Sequence, residues 1–338
     1  MKIQENFSLK NYNTFGVEVN CQFFVEITSI ESLQELLTNP LWKAMPKLIL
    51  GEGSNVLFSQ DFSGLVIKMS LKGIKKTAEN EDHVWITSAA GENWHELVLY
   101  CLKSQLAGVE NLSLIPGTVG AAPMQNIGAY GVELKEVFEQ LTAIRLSDGK
   151  LCVFDQSACR FGYRDSIFKR EFKNQYVIVS VGLRLNKTPI FRFEYGAIKE
   201  TLAAMQVKDL SIQAISNAVI KIRQQKLPDP RKIGNAGSFF KSPILPKEDF
   251  LAIHQRYPEL PYFVDENEGY KIPAGWFIEQ CGWKGRRMGD AGVHEQHALV
   301  LVNYGKGSGI EIKRLAEEIQ ASVKDKFSIL LTPEVNII

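Results

Sequence analysis

The feature that most restricts the fold of this chain is a run of small residues at positions 113–131. Its sequence, SLIPGTVGAAPMQNIGAYG, holds four glycines and three alanines within nineteen residues. Small residues let a backbone approach a bound molecule closely, because no bulky side chain holds the two apart. Polar side chains are interleaved among them at Thr118, Gln125, Asn126 and Tyr130. The run predicts a contact surface for a flat, polyanionic molecule, and a tightly wound structural loop is the alternative.

A second glycine loop, Gly51-Glu52-Gly53-Ser54-Asn55, follows the apolar residues 48–50. Two glycines allow a tight turn whose backbone N–H groups can point at an anion, and Ser54 and Asn55 add side-chain donors. The loop begins like the dinucleotide motif G-x-G-x-x-G, but Val56 occupies the sixth position and the following apolar residues predict a strand rather than a helix. A pyrophosphate cradle is therefore favoured over a Rossmann site, and a plain strand-turn-strand remains the other interpretation.

Composition excludes several classes of protein. The chain has 338 residues, of which 45% are hydrophobic and 23% charged, which is typical of a globular protein with two or three domains. Its formal charge of +1 lacks the basic excess of a nucleic-acid-binding protein. No signal peptide and no apolar run of about 18 residues is present, so we expect a cytoplasmic protein that does not span a membrane. Five scattered cysteines without a C-x-x-C pair predict reduced thiols.

Periodicity predicts a mixture of helices and strands, hence an α+β fold. Helices are expected from Thr28, with Glu31 as capping-box partner, to Asn39, and around residues 94–101, 212–226, 276–278 and 312–323. Strands are expected at residues 48–50, 84–87, 141–146, 176–183, 298–302 and 329–331, with antiparallel pairing between about 137 and 195. Pro228 and Pro230 end the helix at Lys226 and predict a domain boundary there.

The two glycine segments closely resemble those of the UDP-N-acetylenolpyruvoylglucosamine reductase family, which belongs to the vanillyl-alcohol-oxidase-like FAD superfamily. The resemblance continues through FGYRDS at 161–166, KLPDP at 226–230, GNAGSFFK at 234–241 and LTPEV at 331–335. These motifs span nearly the whole chain. The segment 258–271 resembles the longer of the family's two architectural variants.

The resemblance implies a fold and an activity. The expected fold is a two-subdomain FAD-binding unit of the vanillyl-alcohol-oxidase/PCMH-like type plus a C-terminal α+β substrate-binding domain. The implied domains are residues 1–70 joined by 330–338, residues 71–225, and residues 226–329. The implied reaction is NADPH-dependent reduction of UDP-N-acetylglucosamine enolpyruvate to UDP-N-acetylmuramate in peptidoglycan precursor synthesis. We expect a monomer that binds neither nucleic acid nor membrane.

The family pattern also implies which residues contact FAD. Neither glycine segment contains His or Cys, the residues that attach FAD covalently in part of the superfamily, so noncovalent FAD is expected. The implied contacts are Gly51, Glu52, Gly53, Ser54, Asn55, Pro116, Gly117, Thr118, Gly120, Ala121, Ala122, Gln125, Asn126, Gly128, Tyr130 and Ile178.

Three residues match the family's catalytic positions. Hydride addition to the enolpyruvyl group leaves negative charge beside its carboxylate, which Arg164 and Glu334 are expected to stabilise. Ser238 is the expected proton donor. Without the family pattern, Arg164 would be assigned an ion pair with a carboxylate such as Asp165, Ser238 an ordinary turn position, and Glu334 an edge-strand position. The apolar neighbours of Glu334 predict that it is buried.

The family pattern further implies a set of substrate contacts. For Lys226 and Lys284 the alternative interpretation is that they are ordinary solvated surface residues. These contacts are Tyr163, Tyr195, Lys226, Tyr262, Lys284 and His297. The chain has Ser242, His297 and Asn336 where relatives often have Asn, Gln and Arg, so these contacts differ from the family pattern. His294 and His297 lie three residues apart, but no second ligand pair is nearby, so no metal site is expected.

Two other functions are compatible with the residues alone. A relative on the same flavin scaffold could oxidise an alcohol, and it would consume oxygen rather than NADPH. A protein that binds a UDP-sugar without turnover would be colourless after purification.

Overall fold

We describe residues 1–264 and 269–338 of a computed structural model of the chain. The strands are β1 (Ile3–Ser8), β2 (Asn20–Ile27), β3 (Lys47–Leu50), β4 (Val56–Leu57), β5 (Phe62–Met69), β6 (Ile74–Glu79), β7 (His83–Ala89), β8 (Gly128–Ala129), β9 (Val132–Glu133), β10 (Phe138–Arg145), β11 (Leu151–Asp155), β12 (Tyr176–Asn186), β13 (Gly234–Ser238), β14 (Ile244–Leu245), β15 (Phe263–Val264), β16 (Tyr270–Lys271), β17 (Arg287–Met288), β18 (Ala291–Val293), β19 (Val300–Asn303) and β20 (Asn336–Ile337).

The helices alternate with these strands in an α+β pattern, as the sequence predicts. They are α1 (Ile30–Thr38), α2 (Pro40–Lys43), α3 (Trp94–Lys103), α4 (Gln156–Cys159), α5 (Ile198–Ala204), α6 (Ile212–Lys226), α7 (Lys247–Arg256), α8 (Ala274–Gln280) and α9 (Gly309–Phe327). None of the helices in the described ranges is long and apolar enough to cross a bilayer.

The chain divides into two compact units. The first unit comprises residues 1–7, 21–52 and 63–225, and the second comprises residues 8–20, 53–62 and 226–338. The three-domain division expected from the family stays a prediction.

Two large sheets, together with the two-stranded sheet β8-β9, form the first unit. One has the strand order β1-β2-β5-β3, with β3 parallel to β5. The other has the order β11-β10-β12-β7-β6 and is antiparallel throughout, which confirms the antiparallel pairing predicted between residues 137 and 195. Ile144, Val177 and Val179 of the second sheet join the apolar core of the first, so the sheets share one hydrophobic layer.

Helix α1 shows how local sequence sets an element boundary. Its N-cap is Ser29, whose hydroxyl accepts a hydrogen bond from the Ser32 backbone N–H at 3.1 Å, so the predicted cap at Thr28 is wrong by one residue. Leu33, the first of the fully buried positions of the helix, packs in the same apolar core as the sheet, and burial of one leucine side chain is worth roughly 2 kcal/mol. The helix ends where Pro40 restricts the residue before it.

The second unit is built on the antiparallel sheet β13-β19-β18-β17, against which α9 packs. A capping box between Ser308 and Glu311 begins α9, and Gly309 lies so close to Phe58 that a Cβ atom there would be 1.7 Å from the Phe58 carbonyl oxygen. The small sheets β14-β16-β15 and β4-β20 complete the unit.

The predicted strand at residues 329–331 is wrong. Leu330 is 64% exposed, and the Leu331 carbonyl accepts from the side-chain amide of Gln320 at 2.7 Å instead of from a neighbouring strand. Apolar side chains alone do not make a strand when the backbone has no ladder to join. The strand of this region is β20, which pairs in parallel with β4.

Candidate active site

Residues 51 and 52 of the first glycine loop lie against the 113–131 segment within the first unit. A Cβ atom at Gly51 would stand 2.6 Å from the Thr118 hydroxyl oxygen, so a larger residue would force Thr118 to move. The Glu52 carboxylate accepts hydrogen bonds from the Gly117 backbone N–H at 3.1 Å and from the Asn93 side-chain amide at 2.8 Å. Glu52 therefore ties one glycine segment to the other, which a purely local turn would not require.

The loop at 51–54 has the donors that an anionic cofactor needs. Within residues 1–264 and 269–338, the backbone N–H groups of Gly51, Glu52, Gly53 and Ser54 have no protein acceptor. Consecutive N–H groups of this kind form anion-binding concavities. Strand β4 follows the loop directly, as predicted, so no helix N-terminus of the Rossmann type is present at this position. The donor set fits the pyrophosphate of FAD.

The remaining cofactor candidates differ in exposure. Pro116 and Ala121 are exposed, whereas Gly117, Thr118 and Ala122 are buried. Gly120 packs so tightly that a Cβ atom would lie 2.5 Å from that of Ala90. Ile178 lies on β12 with its side chain in the apolar core, 5% exposed. Contact of these residues with FAD stays a prediction.

Arg164 lies in a tight turn of the first unit. Gly162 and Asp165 close the turn with two backbone hydrogen bonds, at 3.0 and 3.2 Å, and Arg164 adopts a left-handed φ of +52°. Its guanidinium donates to the Gly128 carbonyl and lies 5.3 Å from the centroid of the Tyr163 ring. The neighbouring Asp165 pairs with Arg170 at 3.3 Å. Arg164 is thereby held beside the 113–131 segment.

The polar residues of that segment serve the fold as well. Gln125 accepts a hydrogen bond from the Lys169 ammonium at 3.2 Å. Asn126 is fully buried with φ at +45°, and its amide donates to the Gly162 carbonyl. Tyr130 is half-buried, and burial raises its pKa. The two alternative interpretations of residues 113–131 that the sequence allows, a tightly wound structural loop and a contact surface for a bound molecule, are therefore compatible.

The sequence interpretation missed Arg223. This residue lies on α6 at helical spacing from Val219 and Ser216, which are both buried. Its guanidinium Nε donates to the Leu114 carbonyl at 3.2 Å. The available signal was a cation at a position where the apolar period of α6 continues.

Ser238 ends β13 in the second unit. The pairing of β13 with β19 is irregular between Asn235 and Ser238, and Gly237 adopts a left-handed φ of +72°. The side chain of Asn235 stabilises this irregular backbone. Its oxygen accepts a hydrogen bond from the Gly237 backbone N–H at 3.0 Å, and its amide donates to the backbone carbonyls of Pro228 and Ile233. The bulge leaves Ser238 half-buried.

Glu334 is hydrogen-bonded through its backbone to Phe239, the residue that follows Ser238. Its backbone N–H donates to the Phe239 carbonyl at 2.8 Å, and its carbonyl accepts from the Asn55 side-chain amide at 3.2 Å. Glu334 is partly buried, so the burial expected from its apolar neighbours is reached only in part, and Thr332 and Asn336 on either side are exposed. The second unit thus brings the serine segment, the glutamate and the end of one glycine loop together.

The other substrate candidates of the second unit include cations. Burial and the Lys226 ammonium lower the pKa of His297, whose buried Nδ1 has no hydrogen-bond partner in the described ranges. Lys284, also close enough to lower that pKa, is half-exposed and pairs with Glu279 at 2.8 Å. Tyr262 is 43% exposed and packs 4.7 Å from the Phe250 ring.

The last candidates are tied to neighbouring backbone. Ser242 accepts from the Ala274 N–H at 3.4 Å, and the Asn336 amide donates to the Asn55 carbonyl at 3.0 Å. In the first unit, Tyr195 lies beside Gly131. The 258–271 loop that matches the longer variant includes residues 265–268, which lie outside the described ranges. Across the described ranges, no group of three or more His, Cys, Asp or Glu residues could hold a metal ion.

Comparison with known proteins identifies relatives over the full chain. An FAD binding domain model matches residues 21–155, and a model for the C-terminal domain of UDP-N-acetylenolpyruvoylglucosamine reductase matches residues 229–338. The UDP-N-acetylenolpyruvoylglucosamine reductase of Amoebophilus asiaticus is 53% identical over 338 residues, covering all of both chains, and that of Flavobacterium johnsoniae is 48% identical over 339 residues, again covering 100% of each.

A solved structure has the same fold. The UDP-N-acetylenolpyruvylglucosamine reductase of Thermus caldophilus superposes with a TM-score of 0.67 at 23% sequence identity, covering 100% of this chain and 99% of that one. The chain is an oxidoreductase with an FAD-binding domain, and it belongs to the UDP-N-acetylenolpyruvoylglucosamine reductase family.

Proposed function

We propose that this protein uses noncovalent FAD and NADPH to reduce UDP-N-acetylglucosamine enolpyruvate to UDP-N-acetylmuramate, in the cytoplasm, as a step in peptidoglycan precursor synthesis. The observation that carries the proposal is 53% identity to a reductase of this name across the whole of both chains. The hydrogen bond from the Gly117 backbone N–H to the Glu52 carboxylate supports the proposal independently, because this bond joins the two segments predicted to hold one cofactor.

Bound FAD would supply hydride transfer, taking a hydride from NADPH and passing it to the methylene carbon of the substrate. The chain's part is to hold the cofactor without a covalent bond. The unpartnered N–H groups of residues 51–54 would bind its pyrophosphate. Glycines 51 and 120 would let the protein segments around the cofactor pack closely, since a Cβ atom would lie 2.6 Å from the Thr118 hydroxyl oxygen at Gly51 and 2.5 Å from the Ala90 Cβ at Gly120.

Arg164 and Glu334 would stabilise the charge that hydride addition creates. Once the methylene carbon gains a hydride, negative charge spreads from the adjacent carbon into the carboxylate, as in an enolate. A guanidinium can bind both carboxylate oxygens at once. The bond from Arg164 to the Gly128 carbonyl fixes its orientation in advance, so little reorganisation is needed as charge develops.

Ser238 would complete the reaction by donating its hydroxyl proton to the carbon that carries the negative charge. A serine hydroxyl is a weak acid, so it must be held close to a strongly basic carbon. The bulge held by Asn235 provides such rigidity, and Gly237 leaves open space next to the hydroxyl, since a Cβ atom there would meet nothing within 4 Å.

The nucleotide part of the substrate would be held by polar and cationic side chains. Lys226 and Lys284 suit the diphosphate, and the unsatisfied Nδ1 of His297 is a hydrogen-bonding site that a substrate oxygen or hydroxyl could satisfy. Tyr163, Tyr195 and Tyr262 are the remaining candidates of this group.

Ser238→Ala tests the mechanism. The variant should still bind FAD, and NADPH should still bleach the flavin absorbance, but formation of the lactyl ether product should fall by at least about 1,000-fold. Ser104→Ala, at an exposed serine of the first unit, is the matched control and should behave as wild type. Unchanged turnover of Ser238→Ala would remove this serine from the mechanism.

The proposed activity itself has separate tests. Purified protein should be yellow, mild denaturation should release FAD, and NADPH oxidation should depend on the enolpyruvyl substrate. A colourless protein that binds UDP-sugars, or substrate-dependent oxygen consumption without NADPH, would replace the proposal with one of the alternatives.

A further inference from the structure

Residues 12–15 of the second unit lie between two segments that the proposed function uses. The Thr14 backbone N–H donates to the Gly53 carbonyl at 3.2 Å, and the Thr14 hydroxyl donates to the same carbonyl at 3.4 Å. On the other side, the Thr14 carbonyl accepts from the Asn235 backbone N–H at 3.0 Å. Gly53 belongs to the loop predicted to bind the FAD pyrophosphate, and Asn235 lies on β13, which ends at Ser238. Thr14 therefore joins the cofactor loop to the strand of the expected proton donor.

The segment 12–15 is in close backbone contact on both sides. A Cβ atom at Gly53 would lie 2.0 Å from the Tyr12 carbonyl oxygen, and one at Gly234 would lie 2.2 Å from the Phe15 carbonyl oxygen. Backbone atoms cannot give way as the end of a flexible side chain can. Glycine on either side thus lets the loop and β13 approach the segment, and the width of the segment sets the spacing between them.

The side chain of Asn13 holds the segment in shape. Asn13 is 6% exposed, and its amide donates to the Leu9 carbonyl at 2.8 Å and to the Val17 carbonyl at 3.1 Å. Its oxygen accepts from the Val17 backbone N–H at 3.0 Å. A buried amide that is hydrogen-bonded to nearby backbone in this way favours one loop conformation. The segment is therefore a spacer of fixed shape rather than a flexible link.

A second link closes a ring of hydrogen bonds around the same two segments. The Asn55 side-chain amide donates to the Glu334 carbonyl at 3.2 Å, and the Glu334 backbone N–H donates to the Phe239 carbonyl at 2.8 Å. Phe239 follows β13 directly, and Asn55 lies two residues after Gly53. The ring carries the end of the cofactor loop, Ser238 and Glu334, so a longer link at one point changes the distances among all three.

We propose that Thr14 is a positioning residue that sets the distance between the FAD pyrophosphate loop and Ser238. This inference rests on the proposed function and deepens it, because it concerns how the hydride donor and the proton donor are placed around one substrate. Proton transfer needs the donor oxygen within hydrogen-bonding reach of the carbon that accepts the proton. A misplacement of about 1 Å, even by a residue remote from the chemistry, can lower a rate about 100-fold. Thr14 acts through Gly53 and Asn235 rather than on the reacting atoms.

A purely structural role for Thr14 is the competing explanation. Strand β13 is also paired with β19, at Gly234 opposite Asn303 and at Asn235 opposite Val302. The fold of β13 thus has support that does not pass through residue 14. A structural role predicts a loss of stability or of FAD that affects every step alike, whereas a positioning role predicts a change in one half-reaction.

The first experiment compares Thr14→Val with Thr14→Ser by rapid kinetics. Valine has nearly the shape of threonine but no hydroxyl, whereas serine keeps the donor to the Gly53 carbonyl. In Thr14→Val, reoxidation of the reduced flavin by saturating enolpyruvyl substrate should slow about 3- to 10-fold, the usual worth of one hydrogen bond. Its solvent deuterium isotope effect should rise, because proton transfer from Ser238 becomes more limiting.

The other half-reaction and a matched variant are the controls. NADPH should reduce the flavin of Thr14→Val at the wild-type rate, and Thr14→Ser should recover wild-type reoxidation. Thr188→Val, at an exposed threonine of the first unit, should change neither half-reaction. Unchanged reoxidation in Thr14→Val, or equal slowing of both half-reactions, would overturn the proposal.

Amide hydrogen exchange in the oxidised holoprotein measures the links without turnover. In Thr14→Val, the N–H of residue 14 should exchange about 3- to 10-fold faster, since one of its two bonds to the Gly53 carbonyl is gone. Exchange in the antiparallel sheet of the first unit should not change, and unchanged exchange at residue 14 would contradict the proposal. Failure of the proposed function is distinguishable, because the enolpyruvyl substrate would then not reoxidise even wild-type holoprotein, while exchange would still report on the link.

Discussion

The side-chain amide of Asn126 donates a hydrogen bond to the backbone carbonyl of Gly162 at 3.1 Å. Gly162 begins the turn that carries Arg164, so an amide of the glycine-rich segment positions the turn of the predicted catalytic arginine. The same amide donates to the Glu133 carboxylate at 2.9 Å, and its oxygen accepts from the Lys135 N–H at 3.0 Å. Asn126 therefore positions other groups, whether or not it also contacts FAD.

Asn126→Asp should lower the free energy of unfolding by about 3 kcal/mol. The substitution replaces the buried amide donor with a carboxylate oxygen, which would then face the Gly162 carbonyl and the Glu133 carboxylate, two groups that can only accept. Urea unfolding measures the change. The control is a double-mutant cycle with Glu133→Gln, whose amide can donate to the new carboxylate and should recover part of the loss. Simple additivity of the two single effects would show that the Asn126–Glu133 contact does not carry energy.

Local periodicity predicted most elements near the site, but not its long-range contacts. Helices α1, α3, α6, α8 and α9 follow apolar spacing that their own residues determine. The strand at 329–331 failed because pairing depends on a partner distant in sequence. Arg223 was missed for the same reason, since its hydrogen-bond partner Leu114 lies outside helix α6. By contrast, the glycine content of the sequence identified both of the segments that the Glu52–Gly117 hydrogen bond joins.

Gly53→Ala should be far more harmful than Gly16→Ala, although the two glycines have almost the same φ, +64° and +65°. A Cβ atom at Gly53 would lie 2.0 Å from the Tyr12 carbonyl oxygen, whereas one at Gly16 would meet nothing within 4 Å. Gly16→Ala should cost about 1 kcal/mol for the left-handed backbone alone. Gly53→Ala should cost at least about 3 kcal/mol or prevent folding.

Thermal unfolding and the yield of folded protein compare these two variants. Equal melting temperatures would show that the loop at 51–55 relaxes away from Tyr12, which would contradict a rigid cradle.

Glu110→Gln should make the protein more stable at neutral pH. Burial raises the pKa of Glu110, which is 2% exposed, above the ordinary value of 4.5. Below that value both folded and unfolded chains are protonated, and as pH rises the unfolded chain ionises first, so stability falls until the native pKa is passed. Each pKa unit of the shift is worth about 1.4 kcal/mol. Glutamine retains an acceptor for the Gly108 N–H, now bonded at 2.6 Å.

The measurement is the free energy of unfolding from pH 4 to pH 8. The difference between Glu110→Gln and wild type should grow with pH in favour of the variant, whereas Glu139→Gln, at an exposed carboxyl, should show no such trend. A variant less stable than wild type at pH 8 would mean that ionised Glu110 is stabilised by its backbone donors.

Glu52→Gln should weaken FAD binding about tenfold without altering the fold. Both carboxylate oxygens accept, one from Gly117 and the other from Asn93, whose own oxygen caps helix α3 through the Glu96 N–H at 3.1 Å. Glutamine keeps one acceptor oxygen, but its NH₂ group would face either the Gly117 N–H or the Asn93 amide, which are both donors. The loss of that hydrogen bond costs about 1.5 kcal/mol. Flavin fluorescence gives the dissociation constant, with Glu81→Gln as an exposed control. Because Glu52 joins the two glycine segments directly, an unchanged constant would mean that each segment holds its position without the other.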